Sequence, residues 1–200
     1  SAVGIYGHRG DAELDETSGP GEDFLARVCA EWEAEANRAR GFGTRVVNLR
    51  TAPVYRHGGG VLARMLLPFR LGLGGRLGNG LQWMSWVHLE DHLGLIRFAL
   101  DRGDVSGPLN ACAPNPVTNR EFTRALARAV RRPAVFPVPA FALKLAFGGV
   151  SEVMLSSQRV VPGAALKAGY AFRSFSDQYV FCYAPCRSLL IDGIDDESAS

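Results

Sequence analysis

The sequence predicts an α/β fold: a mostly parallel sheet covered by helices, followed by a small helical piece. Three observations predict it. Strand-like and helix-like segments alternate from Ser1 to Val130, as in chains that return across a sheet through helices. Residues able to cap a helix stand where the helical segments begin. Beyond Arg132 the texture changes: Pro133, Pro137 and Pro139 punctuate the chain, and only short helical stretches follow.

Taken in order, Ser1–Tyr6 reads as a short strand that stops at Gly7, and Asp11–Gly21 as a polar loop. Asp23 is placed to cap a helix from Phe24, on which Leu25, Val28, Cys29 and Trp32 form one apolar stripe. Gly41 and Gly43 end that helix. Thr44–Leu49 is a β-branched strand with Arg50 at its carboxyl end, the end at which open α/β sheets bind ligands. Gly58–Gly60, a helix near Val61–Leu67, a Gly-rich loop over Gly72–Gly80 and an aromatic strand over Gln82–Val87 come next. Asp91 reads as the cap of a helix reaching Leu100, and Gly107–Ala111 as another strand. Thr118 and Glu121 make a capping box for a helix over Asn119–Val130. Helices are expected over Phe141–Phe147 and Glu152–Gln158, and Pro162 suits the first turn of a short helix stopped by Gly169. The expected organisation is a sheet domain over 1–132, a small helical domain over 133–176 and a divergent tail over 177–200.

With 47% hydrophobic and 21% charged residues, the 200-residue chain has an ordinary globular composition. No apolar run approaches the roughly 20 residues of a membrane-spanning helix, and the first residues lack the basic-then-apolar pattern of a leader. A cytoplasmic protein without a membrane partner is the expectation. Cys29 and Cys112 read as small core residues. Cys182 and Cys186 have no partner pair or nearby His, which argues against a zinc site. The net charge of +2 is segregated, at −5 over residues 1–40, +11 over 41–176 and −4 over 177–200. Of the 17 cations in the middle segment, 15 are Arg, the side chain whose fork matches phosphate oxygens.

Candidates for chemistry are few. A dinucleotide turn of the G-x-G-x-x-G kind starting at Gly72 needs Gly at 77, where Leu77 stands, and no Gly-Lys-Ser/Thr is present. That loop reads as a flexible connection. His88 and His92 stand four apart, but Leu89 replaces the Glu of a zincin, and a cap at Asp91 leaves His88 outside the helix; no metal site is expected. Tyr6 and Tyr55 have no Lys four residues on, so their phenols lack the cation that would bring them into the range of a base. Arg124, Arg128, Arg131 and Arg132 share a helical neighbourhood, but no nucleic-acid motif accompanies them and no such partner is expected.

Several segments together resemble the extended and atypical short-chain dehydrogenase/reductases, in an epimerase-like branch that ends in a small domain of unknown function. They are Ser1-Ala-Val-Gly-Ile-Tyr-Gly7, the helix from Phe24 to Glu33, Arg45-Val-Val-Asn-Leu-Arg50, Gly58–Gly60, Leu67–Gly75, Gln82–Asp91, Leu109–Asn119 and Leu155–Pro162, in the family's order over about residues 1–176. The resemblance implies the C-terminal part of a Rossmann-type parallel sheet with a small helical C-terminal domain. It implies NADP or NAD as cofactor and a small-molecule substrate like a nucleotide sugar. Ser1 would match the active-site Ser, Arg50 would lie against phosphates of cofactor or substrate, and Leu49, Arg50 and Thr51 would line the nicotinamide end of the cleft.

Three departures qualify what the resemblance implies. The first strands and the glycine turn that hold the pyrophosphate are not among these residues, so the chain reads as a fragment incompetent alone. The Tyr-x-x-x-Lys pair of catalytic reductases is missing, with Phe24 and Val28 near its expected place, which makes a non-catalytic dinucleotide sensor the alternative reading. From Asp177 the sequence leaves the family's pattern.

Overall fold

A computed structural model of the chain describes residues 1–56 and 60–173. In chain order the elements are a 3-10 turn at Val3–Tyr6, β1 (Glu13–Leu14), α1 (Phe24–Asn37), a second 3-10 turn at Arg38–Phe42, β2 (Val47–Thr51), β3 (Val54–Tyr55), α2 (Gly60–Arg70), β4 (Trp83–Met84), β5 (Val87–His88), α3 (Leu89–Asp101), β6 (Gly107–Ala111), β7 (Val117–Thr118), α4 (Asn119–Ala129), α5 (Ala140–Phe147), α6 (Val150–Leu155), β8 (Arg159–Val160) and α7 (Gly163–Lys167). The tail expected from Asp177, with Cys182 and Cys186, lies outside the described residues, as do Gly58 and Gly59.

The described residues form two compact units, one of residues 1–54, 82–117 and 156–173, the other of 55–56, 60–81 and 118–155. The first is an α/β sandwich. β2 and β6 run parallel in full register, from Val47 opposite Gly107 to Thr51 opposite Ala111. Ala2 bridges Thr51 in parallel, and β1 and β8 pair in parallel elsewhere in the same unit. Side chains alternate across a strand. Val47 and Leu49 therefore pack on the side of α3 and α7, with Leu95, Leu109, Ala111 and Ala165. Asn48 and Arg50 face α1, where they bond Asn37 and Glu33.

Several expectations shift. Ser1–Tyr6 is a 3-10 turn after a single bridge rather than a strand, closed by Gly7 at φ 63°. β2 starts three residues late and runs to Thr51, because Arg45 is drawn off to the carbonyls of Ala99 and Val105. Asp23 caps α1 through Ala26 N at 2.8 Å as expected, but the buried face is Ala26, Cys29 and Glu33, leaving Trp32 59% exposed. The expected stripe is rotated by about one residue because Glu33 has a buried cation to meet. His88, rather than Asp91, caps α3. Asp91 is buried and accepts from Arg173 N at 2.8 Å, tying residue 173 to the first turn of α3.

The second unit is mostly helical. Thr118 and Glu121 form the expected reciprocal capping box on α4. Leu77 N donates to the buried Asn119 at 2.8 Å, and Tyr55 stacks near Phe122 with centroids 5.8 Å apart. α6 begins before the expected Glu152 and ends at Leu155. Among the described residues no helix is long and apolar enough to cross a membrane.

Candidate functional site

At the α1 face of the sheet, five polar side chains of the first unit converge. Glu33 is 9% exposed and Arg50 8%, and Tyr6 and Asn110 are fully buried. The cause is local. Arg50 and Asn110 are register partners on β2 and β6, so both side chains emerge on the same face, while the 3-10 turn places Tyr6 over them. Arg50 donates from Nε and Nη2 to the two oxygens of Glu33, at 2.8 and 2.9 Å, the fork-to-carboxylate geometry that makes Arg pairs strong. Its Nη1 donates to the Tyr6 hydroxyl at 2.8 Å, and Tyr6 donates onward to Asn110 Oδ1 at 2.7 Å. Asn110 Nδ2 donates to the Val161 carbonyl, and its backbone N–H to Glu16. Ser1 Oγ donates to Glu33 Oε1 at 2.7 Å.

The network fixes charge states. Burial pushes the Tyr6 phenol up to about 12, and the Arg50 hydrogen bond only partly offsets this. Burial opposes ionisation of Glu33 as well, but hydrogen bonds from Arg50 and Ser1 outweigh it and hold the carboxyl below its ordinary range. Arg50 is raised, because Glu33 and Tyr6 more than offset its burial. Burial also raises the Tyr55 phenol. Neither phenol is poised as a base near neutral pH.

The residues marked in the sequence thus fare differently. Ser1 and Arg50 meet, through Glu33. The backbone of Ser1 also accepts from Thr51 N at 3.3 Å, so Ser1 and Thr51 are neighbours at the strand ends. Leu49 does not join them, because strand alternation turns it into the core beside α3. Arg50 turns inward, and each of its three nitrogens donates to a protein group, Glu33 or Tyr6. The sequence marks neither Glu33 nor Asn110, and Tyr6 only as a phenol without a neighbouring Lys. A carboxylate four residues after Cys29 on the buried face of α1, facing a strand with one Arg, was the available signal.

The Gly-rich loop is not a phosphate cradle. Gly72, Gly75 and Gly78 recur every three residues, but the loop leaves α2 instead of joining a strand to a helix. Gly72, at φ 74°, ends α2. Gly75 leaves no room for a Cβ against the Phe136 carbonyl, nor Gly74 against the Phe69 ring. Gly74 and Gly75 permit close packing, whereas Gly72 meets nothing within 4 Å. His88 caps the helix that carries His92, and among the described residues no cluster of three or more His, Cys, Asp or Glu could hold a metal.

Comparison with known proteins agrees with this architecture. The NAD dependent epimerase/dehydratase family matches residues 1–112, and a family of unknown function, DUF1731, matches residues 138–175. The epimerase family protein Mb2239 of Mycobacterium bovis is 43% identical over 188 residues, 94% of this chain and 62% of that protein. Human epimerase family protein SDR39U1, solved with NADPH, superposes with a TM-score of 0.80 at 39% identity, over 86% of this chain and 59% of that one. The nucleoside-diphosphate sugar epimerase of Corynebacterium glutamicum gives a TM-score of 0.74 at 33% identity, over 96% of this chain and 39% of that one. The chain spans about three fifths of the length of the curated relatives it matches. With a Rossmann-like parallel sheet, an epimerase match over more than half its length and a DUF1731 segment after it, this chain belongs to the NAD dependent epimerase/dehydratase family, in the extended short-chain dehydrogenase/reductase style.

Proposed function

We propose that this chain is the substrate-side part of an NAD(P)-dependent, nucleotide-sugar epimerase/dehydratase-like protein. The observation that carries the reading is the rim at the ends of three neighbouring parallel segments, where Ala2, Thr51 and Ala111 lie side by side. Such carboxyl ends are where open α/β sheets take ligands. Ser1 and Thr51 face the nicotinamide end in this reading. Ser1 donates its hydroxyl hydrogen bond to Glu33 and so offers its lone pairs to a substrate hydroxyl. Arg50 acts from below, as a positioning residue that fixes Glu33 and through it Ser1. The human relative crystallised with NADPH supports a nicotinamide dinucleotide. Among the described residues no strand–glycine turn–helix is available to hold its pyrophosphate.

A second reading, a dinucleotide sensor without turnover, is favoured by α1. Phe24 is 70% exposed at its first turn and Val28 follows one turn on, a pair able neither to exchange a proton nor to lower a phenol's pKa. One experiment separates the readings: NADPH titration and nucleotide-sugar turnover on the full-length protein that carries these residues. Saturable binding with hydride transfer supports the first, and saturable binding without turnover supports the second. Absence of binding overturns both.

A further inference from the structure

Within the second compact unit, the C-terminal end of α4 carries a concentration of positive charge that the dinucleotide reading does not use. An open hollow of about 420 Å³ is lined by Arg124, Ala127, Arg128, Arg131, Arg132 and Pro133, among others. Arg124 and Arg128 are one turn apart and exposed, and like charges at that spacing repel. The ion pairs among the described residues engage Arg38, Arg50, Arg97, Arg102 and Arg159, none of the four at the hollow. The negative end of the helix dipole offsets part of this repulsion, so charge alone decides little.

The backbone supplies the independent observation. Arg131 has φ 53° and is the one non-glycine residue with positive φ among those described. It occupies the left-handed position after the helix end, where its N–H bonds Arg128 O and the following N–H of Arg132 bonds Ala127 O, both at 3.1 Å. That position favours glycine, and the chain uses glycine for it after α2, at Gly72. At α4 an arginine is kept in the strained conformation, and it lines the same hollow as the other three.

We propose that this hollow binds a phosphorylated small molecule carrying a diphosphate, its oxygens gripped by the forked guanidinium groups. Arg forks match phosphoryl oxygens two at a time, and the volume lies in the range of small-ligand sites. The test uses inorganic pyrophosphate titrated calorimetrically into the full chain at low salt. Saturable binding at one site is expected. Arg124→Gln combined with Arg128→Gln should weaken it at least tenfold. Arg131→Gly, which relieves the backbone, should weaken it several-fold while the melting temperature stays the same or rises. Arg97→Gln, exposed on α3, should leave it unchanged. Binding that is absent, or equal in all variants, overturns the proposal. So does tighter binding of single-stranded oligonucleotides with affinity growing with their length, the behaviour of a general polyanion surface.

Discussion

Glu33 holds two partners at once, the Arg50 guanidinium and the Ser1 hydroxyl, and its removal exposes both dependencies. Truncating one member of a buried ion pair leaves the other charged and unpaired, which costs about 3–5 kcal/mol. Glu33→Ala should therefore lower unfolding free energy by about that amount in urea titrations, while Glu33→Leu with Arg50→Met should cost distinctly less, since an apolar pair of similar volume strands no charge. The pH dependence follows from the sign of the shift. Hydrogen bonds depress the folded-state pKa of Glu33 despite its burial. Its stabilisation is therefore complete above the unfolded value of about 4.3 and is lost as pH falls through the lower folded value. Urea midpoints should be flat above about pH 5 and drop in acid, with a shallower drop in Glu33→Gln. An equally steep drop in that variant would place the acid sensitivity elsewhere. Tyr6, with its phenol pushed up to about 12, stays neutral across this window and continues to bridge Arg50 to Asn110.

At the scale of elements, caps were easier to recognise than faces. The N-cap at Asp23 and the capping box at Thr118 depend on a side chain reaching three residues along its own backbone, so local sequence is enough to define them. Thr118→Ala removes one half of the reciprocal pair with Glu121 and should destabilise the protein by about 1 kcal/mol in thermal or urea unfolding; a change within error would mean that α4 is held by its buried Phe122 and Leu126 alone. The face of α1 was misjudged for the opposite reason. Counting apolar residues selects Leu25, Val28, Cys29 and Trp32, whereas the helix turns Ala26, Cys29 and Glu33 inward. A charged residue in the buried stripe is invisible to an apolar count. The start of β2 and the cap of α3 moved similarly, through the distant carbonyls that hold Arg45 and the backbone N–H of Arg173 that holds Asp91.

At the scale of the whole molecule, the deciding fact for cofactor binding is what these 200 residues contain. The carboxyl-end rim is present, but in the Gly-rich loop Gly74 and Gly75 are packed against Phe69 and Phe136. NADPH added to this chain should give no saturable change in cofactor fluorescence; micromolar saturation would show that the rim and its neighbours suffice without a pyrophosphate turn. The family was legible because an ordered series of segments from Ser1 to Pro162 constrains a fold far more than any single motif does.

What the sequence determined by itself is the α/β class, most helix starts, the strand Gly107–Ala111 and the family, because each rests on periodicity, capping or segment order along the chain. What only the tertiary structure decided is the direction of the functional side chains. Whether Arg50 reaches outward to a phosphate or inward to Glu33 depends on strand alternation, on the register that sets it beside Asn110, and on a carboxylate 17 positions earlier in the chain. Pairings of that kind are fixed by packing in three dimensions, which sequence spacing does not encode.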